Sequence, residues 1–232
     1  MNRIFNAQLF GPLVAMILVA VVVASTTDRF LTTGNLSNLS LQVSIVALIA
    51  IGATIVIIGA GIDLSSGSMV ALLTMLLAEM VKFLHVPLPL ALLLVLGFGA
   101  LLGLTIGVIS AYGRIPSFIT TLAALIALRG VALTFNNGSP IFSLDPMLEP
   151  VFYGRMLGIP LPFFYVLGFF SLATIMMNFT RLGREIYAVG GNPAAAALSG
   201  INVRRVQTYT FVIAGIMTAV GAILMSARLN SG

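Results

Sequence analysis

The chain has 232 residues, of which 59% are hydrophobic and 7% charged, with a formal net charge of +5 and no cysteine. A water-facing domain devotes about a quarter of its residues to charge, so lipid must be the solvent for much of this chain. The missing cysteines exclude a disulfide framework, a thiolate metal site and a thiol nucleophile. The eleven Lys and Arg are scattered beside apolar runs rather than gathered into a nucleic-acid-binding patch, and there they act as an orientation signal.

A membrane span needs about 20 mostly apolar residues. The sequence predicts spans over 9–25, 40–60, 66–84, 88–112, 116–134, 159–179 and 206–227, an all-α integral membrane fold of about seven helices in a single domain over 1–232. The first is read as an uncleaved helix rather than a signal peptide, because membrane follows it. With the N-terminus inside, Arg3, Arg114, Arg181, Arg184, Arg204 and Arg205 are cytoplasmic, and Arg29, Lys82, Arg155 and Arg228 external. Segment 135–158 then lies outside and segment 180–205 inside.

Between the second and third spans, Gly59-Ala60-Gly61-Ile62-Asp63-Leu64-Ser65-Ser66-Gly67-Ser68 predicts a tight turn or a broken helix. Its glycines permit positive φ, and Asp63, Ser65 and Ser66 are able to cap the helix that follows. Asp63 is either such a cap or a substrate or gating residue, since a helix N-terminus near membrane depth also binds polar ligand groups. His85, in the loop Phe83-Leu84-His85-Val86-Pro87, has no second ligand at metal spacing and reads as a solvated loop residue. Gly99, Gly103 and Gly107 share one helix face and predict close helix packing, within the chain or between subunits.

Arg129 falls inside the fifth span, where an arginine costs about 2.5–3.5 kcal/mol, and so needs a carboxylate, carbonyl oxygens or a wet cavity. After the sixth span, Asn192 is a good N-cap, Pro193 suits the first helical position, Ala194–Ala197 propagate a helix and Gly200 stops it. A short smooth rod outside the membrane suits a partner's groove; an ordinary connecting loop is the alternative. The sole lysine, Lys82, follows no glycine-rich phosphate loop, so the chain has no recognisable ATP site and no catalytic set.

Three stretches together resemble the permeases of ribose/xylose/galactose-type ABC importers: Gly61-Ile62-Asp63-Leu64-Ser65-x-Gly67-Ser68; Ile115-Pro116-Ser117-Phe118-Ile119-x-Thr121-Leu122; and Gly183-Arg184-x-x-Tyr187-Ala188-x-Gly190-Gly191-Asn192 with Ala196-x-x-Ser199-Gly200-Ile201. They occur in the family's order and spacing. Ser66 stands where the family commonly has valine. The resemblance implies import of a pentose or hexose across the bacterial inner membrane by alternating access, with no cofactor on this chain. It implies a second permease copy (homo- or heterodimer), cytoplasmic ABC ATPases that hold ATP and Mg, and a periplasmic sugar-binding protein.

It further implies that 181–202 couples to the ATPase through Gly183, Arg184, Tyr187, Ala188, Gly190, Gly191, Asn192, Ala196, Ser199, Gly200 and Ile201, with Asn192–Gly200 the docking helix. Asp63, Ser65, Thr121, Arg129 and Asn136 are the candidate pathway residues. Family members continue past Leu229, so a C-terminally truncated permease is expected. Two rivals remain at this level: an ion-coupled secondary transporter of a small polar solute, using Asp63 and Arg129, and a membrane scaffold that transports nothing.

Overall fold

The computed structural model describes residues 7–142 and 144–232; Arg3 lies outside the described residues. The chain divides into two compact units, 1–42 and 43–232. In the first, helix α1 (Ala7–Thr26) presents an almost wholly exposed apolar surface, from Phe10 and Leu13 to Val22. Helix α2 (Thr33–Ile58) begins seven residues before the expected 40. The Thr32 hydroxyl accepts the Asn35 N–H at 3.4 Å, and the Asn35 side chain donates to the Phe30 carbonyl at 2.8 Å. These bonds hold a first turn that hydropathy passed over as too polar.

The second unit contains the rest of α2, then α3 (Ser66–Lys82), α4 (Leu88–Gly113), α5 (Ser117–Thr134), a 3-10 turn (Phe135–Gly138), α6 (Glu149–Tyr153), a two-residue hairpin of β1 (Arg155–Met156) and β2 (Ile159–Pro160), α7 (Leu161–Phe179), α8 (Arg181–Gly191), α9 (Pro193–Leu198) and α10 (Val203–Leu229). Among the described residues five helices are long and apolar enough to cross a membrane: α2, α4, α5, α7 and α10. The two other expected spans are also helical, α1 with a shorter apolar stretch over Phe10–Thr26 and α3 with 17 residues in all. A helix of that length covers about 26 Å, less than a full crossing, and the non-helical Gly61–Ser65 stretch precedes it in the chain.

Helix α10 is the mast of this unit: 72% of its apolar window is buried, against 11% for α7. Small residues make that possible. Gly99 lies against Gly215 and Ala219, Gly103 against Phe211 and Gly107 against Thr208, so α4 runs antiparallel to α10 with backbones in direct contact. A Cβ on Gly103 would sit 2.2 Å from the Phe211 carbonyl oxygen, and one on Gly215 would sit 2.1 Å from that of Gly99. On another side, Gly52 of α2 meets Ala214, and Gly221 of α10 receives Ile49. Lipid tails are as apolar as leucine, so such close packing replaces the hydrophobic drive. Thr208, Thr210 and Thr218, all buried, return their hydroxyls to carbonyls of their own helix at 2.7–2.9 Å, which lets polar residues sit in the contact. Val56, Leu73, Leu77, Val95 and Phe211 fill the space around this contact as one apolar core.

Residues 135–158 form a folded cap, not a loose loop. Leu148 and Phe152 are fully buried. Ile141 and Gly232 exchange backbone hydrogen bonds at 3.0 and 2.9 Å. The Leu144 N–H donates to Asn230 Oδ1 at 3.0 Å, the Tyr153 hydroxyl to the Arg228 carbonyl at 3.1 Å, and the Lys82 ammonium to the Phe142 carbonyl.

Candidate coupling site and broken helix connection

The segment after α7 carries two helices where the sequence led us to expect one. Residues 181–191 form α8, an amphipathic helix with Gly183, Ile186 and Val189 buried and Arg181, Arg184 and Tyr187 exposed. The alternation was legible in Leu182, Ile186 and Val189, but the glycines at 183, 190 and 191 argue against a helix on propensity alone. Packing decides it. Thr180 caps α8, accepting the Gly183 N–H at 3.2 Å and donating to the Met176 carbonyl at 2.6 Å. A Cβ on Gly183 would lie 2.2 Å from the Met177 carbonyl oxygen, so only glycine lets the chain turn this sharply from α7.

Helix α9 forms as its residues dictate. Asn192 Oδ1 accepts from the Ala194 and Ala195 N–H groups at 3.0 and 3.1 Å. Gly200 ends the rod at φ +83°, with the Ile201 N–H returning to the Ala196 carbonyl at 3.1 Å. The alanines are not equivalent. Ala196 is buried with Ile55, Met177, Ile186, Val189 and Val206, so it anchors the rod. The outer side presents Gly191, Ala195, Ala197 and Ser199, and at its tip Leu198, 91% exposed. Sequence reasoning missed Leu198 because a leucine after four alanines reads as the buried stripe of a helix.

The break between α2 and α3 is an extended peptide held from α5. Ser117 Oγ accepts the Ile62 N–H at 3.0 Å, and the Thr121 hydroxyl donates to the Ile62 carbonyl at 3.2 Å. Both backbone polar atoms of Ile62 are thus taken up by α5, although the Ile62 side chain itself is exposed. The left-handed residue of the turn is Ala60, φ 62°, and not either glycine. Gly59 and Gly61 are needed for space: Cβ atoms there would meet Thr210 at 3.0 Å and Val56 at 2.7 Å. Asp63 does not cap α3. Its Oδ1 accepts the Ser65 N–H at 2.8 Å and the Ser65 hydroxyl at 2.6 Å, which fixes the extended peptide, and α3 starts without a side-chain cap.

Of the five pathway candidates, the fold gathers Asp63, Ser65 and Thr121; Thr121 and Ser65 are fully buried. Beside Thr121, the buried Thr120 hydroxyl has no hydrogen-bond partner among the described residues. Arg129 is elsewhere, exposed on α5 at a cavity of about 180 Å³ shared with Thr74, Met75 and Gly138. Asn136 is a turn residue at φ 43° whose amide donates to the Ser139 carbonyl at 3.1 Å. His85 is an exposed residue at φ 53°.

Gly190 joins the two parts of the site. A Cβ there would lie 1.7 Å from the Ile58 carbonyl oxygen, so the last turn of α8 rests directly on the end of α2, one residue before the break. The three sequence motifs therefore form one chain of contact: α8 on Ile58, Ile58 into the turn, and the turn onto Ser117 and Thr121 of α5.

Comparison with known proteins matches residues 35–232 to the family described as "Branched-chain amino acid transport system / permease component". The chain is 40% identical over 223 residues to the ribose import permease protein RbsC of Escherichia coli strain K12, covering 94% of this chain and 69% of the relative. It is 36% identical to RbsC of Bacillus subtilis strain 168, over 97% of this chain and 70% of the relative. With the xylose transport system permease protein XylH of Escherichia coli it shares 31% identity over 98% of this chain and 74% of the relative. No solved structure matches significantly. A contact-linked set of three motifs, on helices built for lipid, together with these matches, places the chain in the ABC importer permease family that includes the ribose and xylose permeases.

Proposed function

We propose that this chain is the translocating subunit of an ATP-driven importer of a pentose or hexose, moved by a separate cytoplasmic ATPase and supplied by a periplasmic sugar-binding protein. The observation that carries the reading is the unbroken contact from α9 through Gly190 to the broken α2–α3 connection. Five arginines (Arg114, Arg181, Arg184, Arg204 and Arg205) cluster at the α8 end of the second unit, which supports a cytoplasmic location for that end. Leu198, Gly191 and Tyr187 form the docking face, and a second permease copy completes the pathway.

Closure of the ATPase pushes on α9. The buried Ala196 passes the load to α8, and Gly190 passes it to Ile58. The extended Gly61–Ser65 peptide is the compliant element, because among the described residues it is tied to α5 through two hydroxyls rather than through helical backbone bonds. Movement of this region uncovers Ser65, Thr120 and Thr121, which are buried here, and with Asp63 they then offer a sugar weak hydroxyl and carboxylate contacts.

The test is uptake of labelled ribose or xylose by proteoliposomes that hold the permease, the ATPase and the binding protein encoded beside it. Leu198→Asp with Gly191→Lys changes only exposed positions, so stability should move by no more than about 0.5 kcal/mol, while sugar-stimulated ATP hydrolysis falls to the rate of the ATPase alone. Wild-type coupling in that variant would remove the docking face. Uptake that persists without ATP and collapses with a proton or sodium gradient would make the chain an ion-coupled transporter instead.

A further inference from the structure

At the α8 end of the second unit a cavity of about 500 Å³ opens among the Gly59–Ile62 turn, the end of α4, the start of α5 and the first turns of α10. The transport reading uses the turn and Ser117 in its wall but assigns no ligand to the cavity itself. The hydroxyls in its wall are already engaged: Ser110 donates to the Ile115 carbonyl at 3.0 Å, Ser117 accepts from Ile62, and Thr210 donates to the Gln207 carbonyl at 2.7 Å. Two long polar side chains in the lining, Arg114 and Gln207, have no side-chain hydrogen bond or ion pair among the described residues. Among the described residues no carboxylate lines the cavity. Its field is positive, and Arg204, whose guanidinium lies 5.9 Å from the Tyr112 ring centroid, adds to it nearby.

Arg114 holds φ 57° and ψ 31°, a left-handed conformation at the end of α4 where glycine would be relaxed. An arginine kept there brings a planar, permanently charged fork to a wall that otherwise offers amide and hydroxyl groups. The neighbouring surface is apolar, with Tyr112, Ile115 and Phe118 all exposed at the ends of two membrane-spanning helices. A cationic pocket with an apolar margin at a helix-bundle end matches a phosphate carried on an acyl chain.

We propose that this cavity binds a phosphate oxyanion, with the Arg114 guanidinium as its bidentate donor and the Gln207 amide as a second. The phosphate comes either from an anionic phospholipid headgroup, its chains lying along Ile115 and Phe118, or from a soluble phosphate. The proposal goes beyond the transport reading and does not depend on it.

Native mass spectrometry of the purified chain in detergent, titrated separately with phosphatidylglycerol, with diacylglycerol and with inorganic phosphate, tests it. The informative variant is Arg114→Gly, which removes the fork while relaxing the left-handed backbone, so the fold is kept; Arg114→Lys keeps the charge and loses the fork. Phosphatidylglycerol should bind at least about tenfold more tightly than diacylglycerol. That preference should vanish in Arg114→Gly and be intermediate in Arg114→Lys. Displacement of the lipid by inorganic phosphate, or Arg114-dependent binding of phosphate alone, identifies the soluble source; lipid binding that resists phosphate identifies the headgroup. Equal binding of diacylglycerol and phosphatidylglycerol with no binding of phosphate, or phosphate and lipid binding unchanged in Arg114→Gly, overturns the proposal.

Discussion

Glycine brings backbone against backbone both where α4 meets α10 and where α8 meets α2, yet the two contacts are built for different ends. Along α4, three glycines one turn apart hold two long helices together, and the nearest atom a Cβ on each would meet is main chain that has nowhere to go. At α8 a single glycine rests on a single carbonyl, at the end of a helix and beside a non-helical stretch. The first is a slab, which resists deformation because interiors are close-packed. The second is one close backbone approach beside a small apolar core of Ile55, Ile186 and Val189, which transmits displacement with less main-chain constraint than the slab. Permease helices need both: a frame that stays put and a joint that moves against it.

Four substitutions probe that contrast, from the largest effect to the smallest. Gly103→Leu drives a side chain into the Phe211 carbonyl at the centre of the slab and should cost about 3 kcal/mol or more. The expected outcome is loss of the monodisperse peak in detergent and a strongly lowered melting temperature. Gly190→Val makes a nominally worse clash, but it falls in the last turn of α8, beyond the buried Ile186 and Val189, so that turn yields and the cost should be about 1–3 kcal/mol and local. Hydrogen exchange should quicken in 181–198 and stay unchanged in α4 and α10. If both variants lose the whole fold alike, the distinction between slab and joint is gone.

Asn192→Ala leaves the Ala194 and Ala195 N–H groups uncapped and should cost about 1 kcal/mol, seen as exchange confined to α9. The smallest effect belongs to Glu185→Gln. The Arg181–Glu185 pair, 2.7 Å and one helical turn apart, has its arginine 87% exposed, so the change should stay near about 0.3–0.5 kcal/mol. A larger loss would mean that α8 is held by charge as well as by its buried face.

Local chemistry made much of this legible. The alanine rod was readable from Asn192, Pro193 and Gly200 because caps and stops act within one turn. The break near 59–68 was readable because glycine, aspartate and serine interrupt two apolar runs. The α2 start was missed because capping by Thr32 outweighs the polarity of Asn35, Ser37 and Asn38. Helix α8 was missed because Gly183 and Gly190 serve close contacts with α7 and α2, contacts that propensity cannot register. Arg129 and Asn136 were grouped with Asp63 on chemistry, and the fold sets them in separate places.

By itself the sequence determined that this chain lives in lipid, roughly where its long apolar helices lie, and that a capped rod follows Gly191; these depend on hydropathy and on bonds between near neighbours in the chain. Only the tertiary structure decided that Gly190 sits on Ile58, that Ser117 and Thr121 hold Ile62, that Ala196 faces inward while Leu198 faces out, and that Arg114 and Gln207 share a cavity. Each of those joins residues distant in the chain through contacts of a few ångströms. Such contacts are fixed by which small side chains let two backbones meet, and no local pattern carries that information.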